Sequence, residues 1–76
     1  MIHPYKIDST EDLYRLSELA SKEDFNVYIS TDLGQIDAKS ILALFTIMGK
    51  EVNLVASDHT DSEKFIKFLD KLNGVT

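Results

Sequence analysis

Few side chains in this sequence are placed to take or hold a charged group. Ser40 stands between Lys39 and the run Ile41-Leu42-Ala43-Leu44-Phe45. A serine just before an apolar run is a natural N-cap, because its hydroxyl oxygen accepts a backbone N–H that the first helical turn leaves unpaired. The same hydroxyl is exposed enough to be modified, so Ser40 reads as a cap that is also open to chemistry. His3 and His59 are the only histidines. His3 precedes Pro4 in a strand-like stretch, and His59 sits in a loop with Asp58, Asp61 and Glu63. Both read as surface residues. The spacing of that loop fits a solvated acidic turn better than a metal site, so no metal and no cofactor are expected.

The elements that must position these residues follow from local patterns. Residues 2–7 read as a short strand that Pro4 confines to a sheet edge, since proline has no N–H to give a ladder. Asp8 to Asp12 stack cap formers and acids where a helix N-terminus wants negative charge, with Asp8 to Glu11 and Ser9 to Asp12 both at capping-box spacing. Leu13, Leu16, Leu19 and Ala20 then repeat on one face of a first helix that ends near Lys22. Residues 26–31 and 35–38 are strand-like and flank the turn residues Asp32-Leu33-Gly34, which predicts a hairpin. A second helix runs from Ser40 to Met48 and stops at Gly49. Residues 50–57 form a strand with Val52, Leu54 and Ala56 on its buried face. Thr60-Asp61-Ser62-Glu63 is a further capping box, and Phe65, Phe68, Leu69 and Leu72 stripe a third helix closed by Asn73-Gly74. The order is β-α-β-β-α-β-α. Burying one sheet face under the helices makes this an α+β, open-faced two-layer sandwich.

Composition narrows the partners. At 76 residues the chain is read as one domain, residues 1–76, with a core so small that nearly every periodic apolar position belongs inside. Thirteen acidic against eight basic residues give a formal charge of −5, which repels phosphate backbones and anionic membranes, so nucleic acid and lipid surfaces are not expected partners. The absence of cysteine excludes a disulfide scaffold and a thiolate zinc site. No signal pattern or membrane-length apolar run is present, and a cytoplasmic location is the expectation.

Residues 34–49 with their Lys39-Ser40-Ile41 segment, the strand that follows and the amphipathic last helix resemble the HPr family, the phosphocarriers of the bacterial sugar phosphotransferase system. The resemblance implies a four-stranded antiparallel sheet with three helices on one face, the first strand lying at an edge beside the fourth. It also implies a histidine at the start of the first helix, followed by threonine, arginine and proline, that carries a phosphoryl group. Counted back from Ser40 without a gap, Ser9 takes the histidine's place and Glu11 the arginine's. No histidine or arginine lies within reach, and Asp8, Glu11 and Asp12 would repel an incoming phosphoryl group.

By that resemblance, Ser40 falls at the serine that a dedicated HPr kinase modifies for regulation. The second helix and the start of the first correspond to the family's docking surface for proteins of the phosphotransferase system and its regulators. Lys39, Ile41, Leu44, Phe45 and Met48 are therefore the expected partner-binding residues, unless the small core takes the apolar ones for itself. The reading is a relative of HPr without the carrier histidine, regulatory or protein-binding in role and not an enzyme. A phosphocarrier using His3 or His59, and a module that dimerises through its edge strand or second helix, are the alternatives.

Overall fold

The computed structural model describes residues 1–74. Its elements are β1 (Ile2–Lys6), α1 (Thr10–Lys22), β2 (Tyr28–Thr31), β3 (Gly34–Asp37), α2 (Ile41–Phe45), β4 (Glu51–Val55) and α3 (Ser62–Leu72). The four strands form one antiparallel sheet in the order β1-β4-β2-β3, as the expected HPr-like sandwich requires. β1 is an edge strand, which needs ladder donors on one side only, and Pro4 sits there opposite Asn53.

Period-two alternation divides the sheet. Val52, Leu54 and Ile29 are buried, whereas Glu51 and Asn53 are exposed. The buried side meets Leu13, Leu16 and Ala20 of α1, Leu44 of α2, and Phe65, Phe68 and Leu72 of α3 in one core. Removing a leucine or phenylalanine side chain of this kind from water stabilises a fold by about 1.5–3 kcal/mol. Phe25 closes the rim, meeting Phe65 and Phe68 edge-on at 6.5 and 6.3 Å between ring centroids.

Several boundaries move from their expected places. α2 covers only Ile41–Phe45 and does not reach Met48. From Thr46 onward the backbone bonds tighten to three-residue spacing: Thr46 donates to Ala43, Ile47 to Leu44 and Lys50 to Ile47. The Thr46 hydroxyl also donates to the Ala43 carbonyl at 2.6 Å, taking an acceptor that a longer helix would use. The turn ends at Gly49, whose φ of 81° favours glycine and whose N–H reaches the Ile7 carbonyl at 2.8 Å. β2 and β4 are likewise shorter than expected. α3 is capped by Asp61, which accepts the Glu63 N–H at 2.8 Å, so Thr60 is not the cap. At the other end of α3, Arg15 donates to the Lys71 carbonyl at 2.9 Å, tying α1 to the last turn of α3.

Candidate functional site

Two helix entrances are the places to examine, and the topology sets them apart. β1 delivers the chain to α1 at the end of the sheet where Lys6 faces Glu51. α1 then runs back over the sheet, and α2 returns toward the same end, where Gly49 bonds Ile7. The start of α2 thus lies beside the middle of α1. Ser17, eight residues or about 12 Å of helix rise beyond Ser9, is buried and donates its hydroxyl to the Lys39 carbonyl at 2.9 Å. Ser9 and Ser40 do not share a site.

At the α1 entrance the Ser9 hydroxyl accepts the Asp12 N–H at 3.2 Å, and the Ser9 carbonyl opens the helical ladder by accepting from Leu13 at 3.1 Å. Of the two box spacings, the Ser9 one forms the cap. Glu11 and Asp12 occupy the first turn and offset the positive end of the helix. The nearby cations are engaged elsewhere, Lys6 with Asp8 at 3.7 Å and Arg15 with the Lys71 carbonyl. Tyr5 reports the same local field. Burial first, then the Asp12 carboxylate, raise its hydroxyl above the usual 10.0, Asp8 adding to the effect and Arg15 opposing it.

Neither histidine reaches this entrance. His3 faces Leu54, three residues up the strand from Lys6, or roughly 10 Å by strand rise. His59 follows β4, whose last residue Val55 faces Ile2, so it emerges at the opposite end of the sheet from Ser9. It is exposed, and its N–H donates to the Ser57 hydroxyl at 3.1 Å. Among the described residues, no group of three or more histidine, cysteine or acidic side chains is arranged to hold a metal ion.

Ser40 is exposed, and its hydroxyl accepts the Ala43 N–H at 3.4 Å, a longer bond than that at Ser9. No acid stands in the first turn of α2. Lys39 is exposed as well and donates to the Asn26 amide oxygen at 3.2 Å. Of the apolar residues expected to face a partner, Ile41 and Phe45 are exposed, and Met48 is half-buried against the core. Leu44 is corrected: it is fully buried, because α2 turns that side chain down onto the sheet, and it is not available for docking. Two residues missed by sequence reasoning join the exposed set, Leu42 on α2 and Tyr14 on α1, with the Tyr14 and Phe45 rings edge-to-face at 6.3 Å. Tyr14 lies off the Leu13, Leu16 and Ala20 stripe, a signal that could have placed it outside. Leu42 left no such signal, since all five residues of α2 are apolar.

A shallow cleft of about 570 Å³ opens where β2 and β4 cease to pair, lined by Ser30, Thr31, Asp32, Lys50, Glu51, Val52 and Asn53. Neither helix-entrance serine, neither histidine and none of the exposed apolar residues of α1 and α2 lines it.

The elements, their sheet order and their one-sided helical layer define an HPr-like fold. The architecture is similar to that of the crystal structure of HPr-C-His from Thermoanaerobacter tengcongensis, with a TM-score of 0.72 at 18% identity over 96% of this chain and 91% of that one. Identity at that level carries the fold and not the residues of a site. No family profile matches the sequence, and no curated protein matches it. No helix among the described residues is long and apolar enough to cross a membrane.

Proposed function

We propose that this protein is an HPr-like relative that does not carry phosphoryl groups on a histidine and acts by binding proteins, with Ser40 as its site of regulatory phosphorylation. The α1 entrance supports the first part: a serine and two first-turn acids stand where a carrier needs an imidazole and a free cation. A phosphoryl group arriving there would be repelled by Glu11 and Asp12 of the first turn.

The second part rests on the α2 entrance. Ser40 is exposed next to Ile41 and one turn from Phe45, so a phosphate of about −1.5 to −2 charge would change the surface a partner touches without disturbing the core. The partners of this reading are proteins of the phosphotransferase system or its regulators, among them HPr kinase, and the setting is the cytoplasm.

Two donors in parallel test it. Incubation with HPr kinase and ATP is expected to add one phosphate, located at Ser40 by peptide mass spectrometry and absent from Ser40→Ala. Incubation with the system's first enzyme and phosphoenolpyruvate is expected to add none. An acid-labile phosphate on His3 or His59 would establish the carrier reading instead.

A further inference from the structure

We propose that β3 is a docking edge, where an extended segment of another protein adds antiparallel as a fifth strand and sets an aliphatic side chain into the groove beside it. That groove lies at the far end of α2 from Ser40, so the contact goes beyond the phosphorylation reading and is tested apart from it.

The two edges of the sheet differ in what their backbones offer. Ala56 donates to the Met1 carbonyl at 2.9 Å, which makes Met1 and Ala56 a bonded pair. Bonded and non-bonded pairs alternate along an antiparallel ladder, so His3 and Tyr5 bond β4 while Ile2, Pro4 and Lys6 turn outward. Pro4 has no N–H, and the β1 edge is therefore blocked at its middle. At the other edge, Ala38 donates to the Val27 carbonyl at 3.0 Å. The same alternation bonds Ile29 to Ile36 and Thr31 to Gly34, and it turns Gln35 and Asp37 away from β2. The Asp37 carbonyl takes the Ser40 N–H at 3.0 Å. The Gln35 N–H and carbonyl and the Asp37 N–H have no partner among the described residues, and no proline or lysine guards them within β3.

What covers this edge follows from its two sides. On the helix side, between the β2–β3 hairpin and the turn after α2, Leu33, Ile36, Thr46, Ile47 and Lys50 line a groove of about 140 Å³. Leu33 is 90% exposed and takes no part in the core. The groove is too small for a cofactor-sized molecule and suits one aliphatic side chain. On the open side, Gln35 continues the polar row of Ser30 and Asn53. A strand bonded to Gln35 therefore sets polar side chains beside that row and, at every second residue, aliphatic ones on the helix side. A second copy does not meet this need. The helix-side residues of its own β3 are Gly34 and Ile36, and Ile36 is already packed against its core. The partner is thus another chain with alternating aliphatic and polar residues, held by main-chain bonds and one pocket.

The test uses the full, isotopically labelled protein and three synthetic peptides: alternating valine and threonine, the same with N-methylated threonines, and the same with N-methylated valines. Antiparallel addition puts a threonine opposite Gln35, so the threonine N–H groups face β3 and the valine N–H groups face solvent. The parent and N-methylvaline peptides are expected to shift the Gln35 and Asp37 amides with saturation, and to slow their hydrogen exchange about tenfold when present at about ten times Kd. The N-methylthreonine peptide leaves both amides unmoved, and every peptide leaves those of Ile2 and Lys6 on β1 unmoved. Gln35→Pro removes the edge donor and no bond to β2, and it weakens binding roughly tenfold or more. Leu33→Ser, at an exposed position in the groove wall, weakens it several-fold without loss of the fold. No change at Gln35 and Asp37 with the parent peptide, or binding kept by the N-methylthreonine peptide, overturns the proposal. Exchange at Gln35 that slows as the protein alone is concentrated puts a second copy in the partner's place and overturns it too. None of these outcomes bears on Ser40, whose phosphorylation is read in its own assay.

Discussion

Helices α1 and α2 both open on a serine whose hydroxyl accepts the N–H three residues on, and the likeness ends there. At α1 the bond is 3.2 Å, the helix runs for 13 residues, and two acids in its first turn offset the helix dipole. At α2 the bond is 3.4 Å, the helix has five residues, and its first turn holds no acid. Negative charge at a helix start is favourable only while the positive end remains uncompensated. The first entrance supplies its own anions, whereas the second has room for one from outside. The same local device is therefore backed by acids at one helix start and stands without them at the other.

The largest effect should come from what anchors the second entrance. Leu44→Ala is expected to lower stability by about 2–5 kcal/mol, because it empties a fully buried site. Leu42→Ala, two residues earlier and exposed, should stay within about 0.5 kcal/mol. Urea unfolding of both variants checks the pair, and equal losses would mean that α2 is held differently from the arrangement described above.

An intermediate effect separates the two caps. Ser9→Ala should cost about 1 kcal/mol, and Ser40→Ala, with the longer bond and the shorter helix, about 0.5 kcal/mol. Ser40→Asp should recover that loss and add roughly 0.3 kcal/mol at low salt, whereas Ser9→Asp, beside Glu11 and Asp12, should add nothing. Thermal unfolding at two ionic strengths distinguishes these outcomes, and a gain at Ser9 matching that at Ser40 would erase the contrast.

The smallest effect is the pH response near α1. Because burial and Asp12 raise the Tyr5 hydroxyl above 10.0, the folded state holds that proton more tightly than the unfolded chain. The contribution is fully present below pH 10 and is lost as pH rises through the folded-state value. Stability should therefore fall more steeply above pH 10 in the natural protein than in Tyr5→Phe, as read from urea midpoints across that range.

Much of the fold was legible because it rests on local chemistry. The edge position of β1 follows from Pro4, the α1 entrance from Ser9 and its acids, and the core face of α3 from Phe65, Phe68 and Leu72. α2 was the least legible element. Residues 41–45 are apolar at every position, so periodicity could not tell Leu44, which goes inside, from Leu42, which stays out, and the Thr46 hydroxyl cut the helix short.

By itself, then, the amino-acid order determined the kinds of element, their sequence along the chain and the absence of a histidine at the first helix, since each depends on a residue and its near neighbours. Only the folded chain decided that His59 emerges at the opposite end of the sheet from Ser9, that Ser17 holds the peptide before Ser40, and that Tyr14 meets Phe45. Those relations span many residues and are set by how the helices pack on the sheet, which no local pattern encodes.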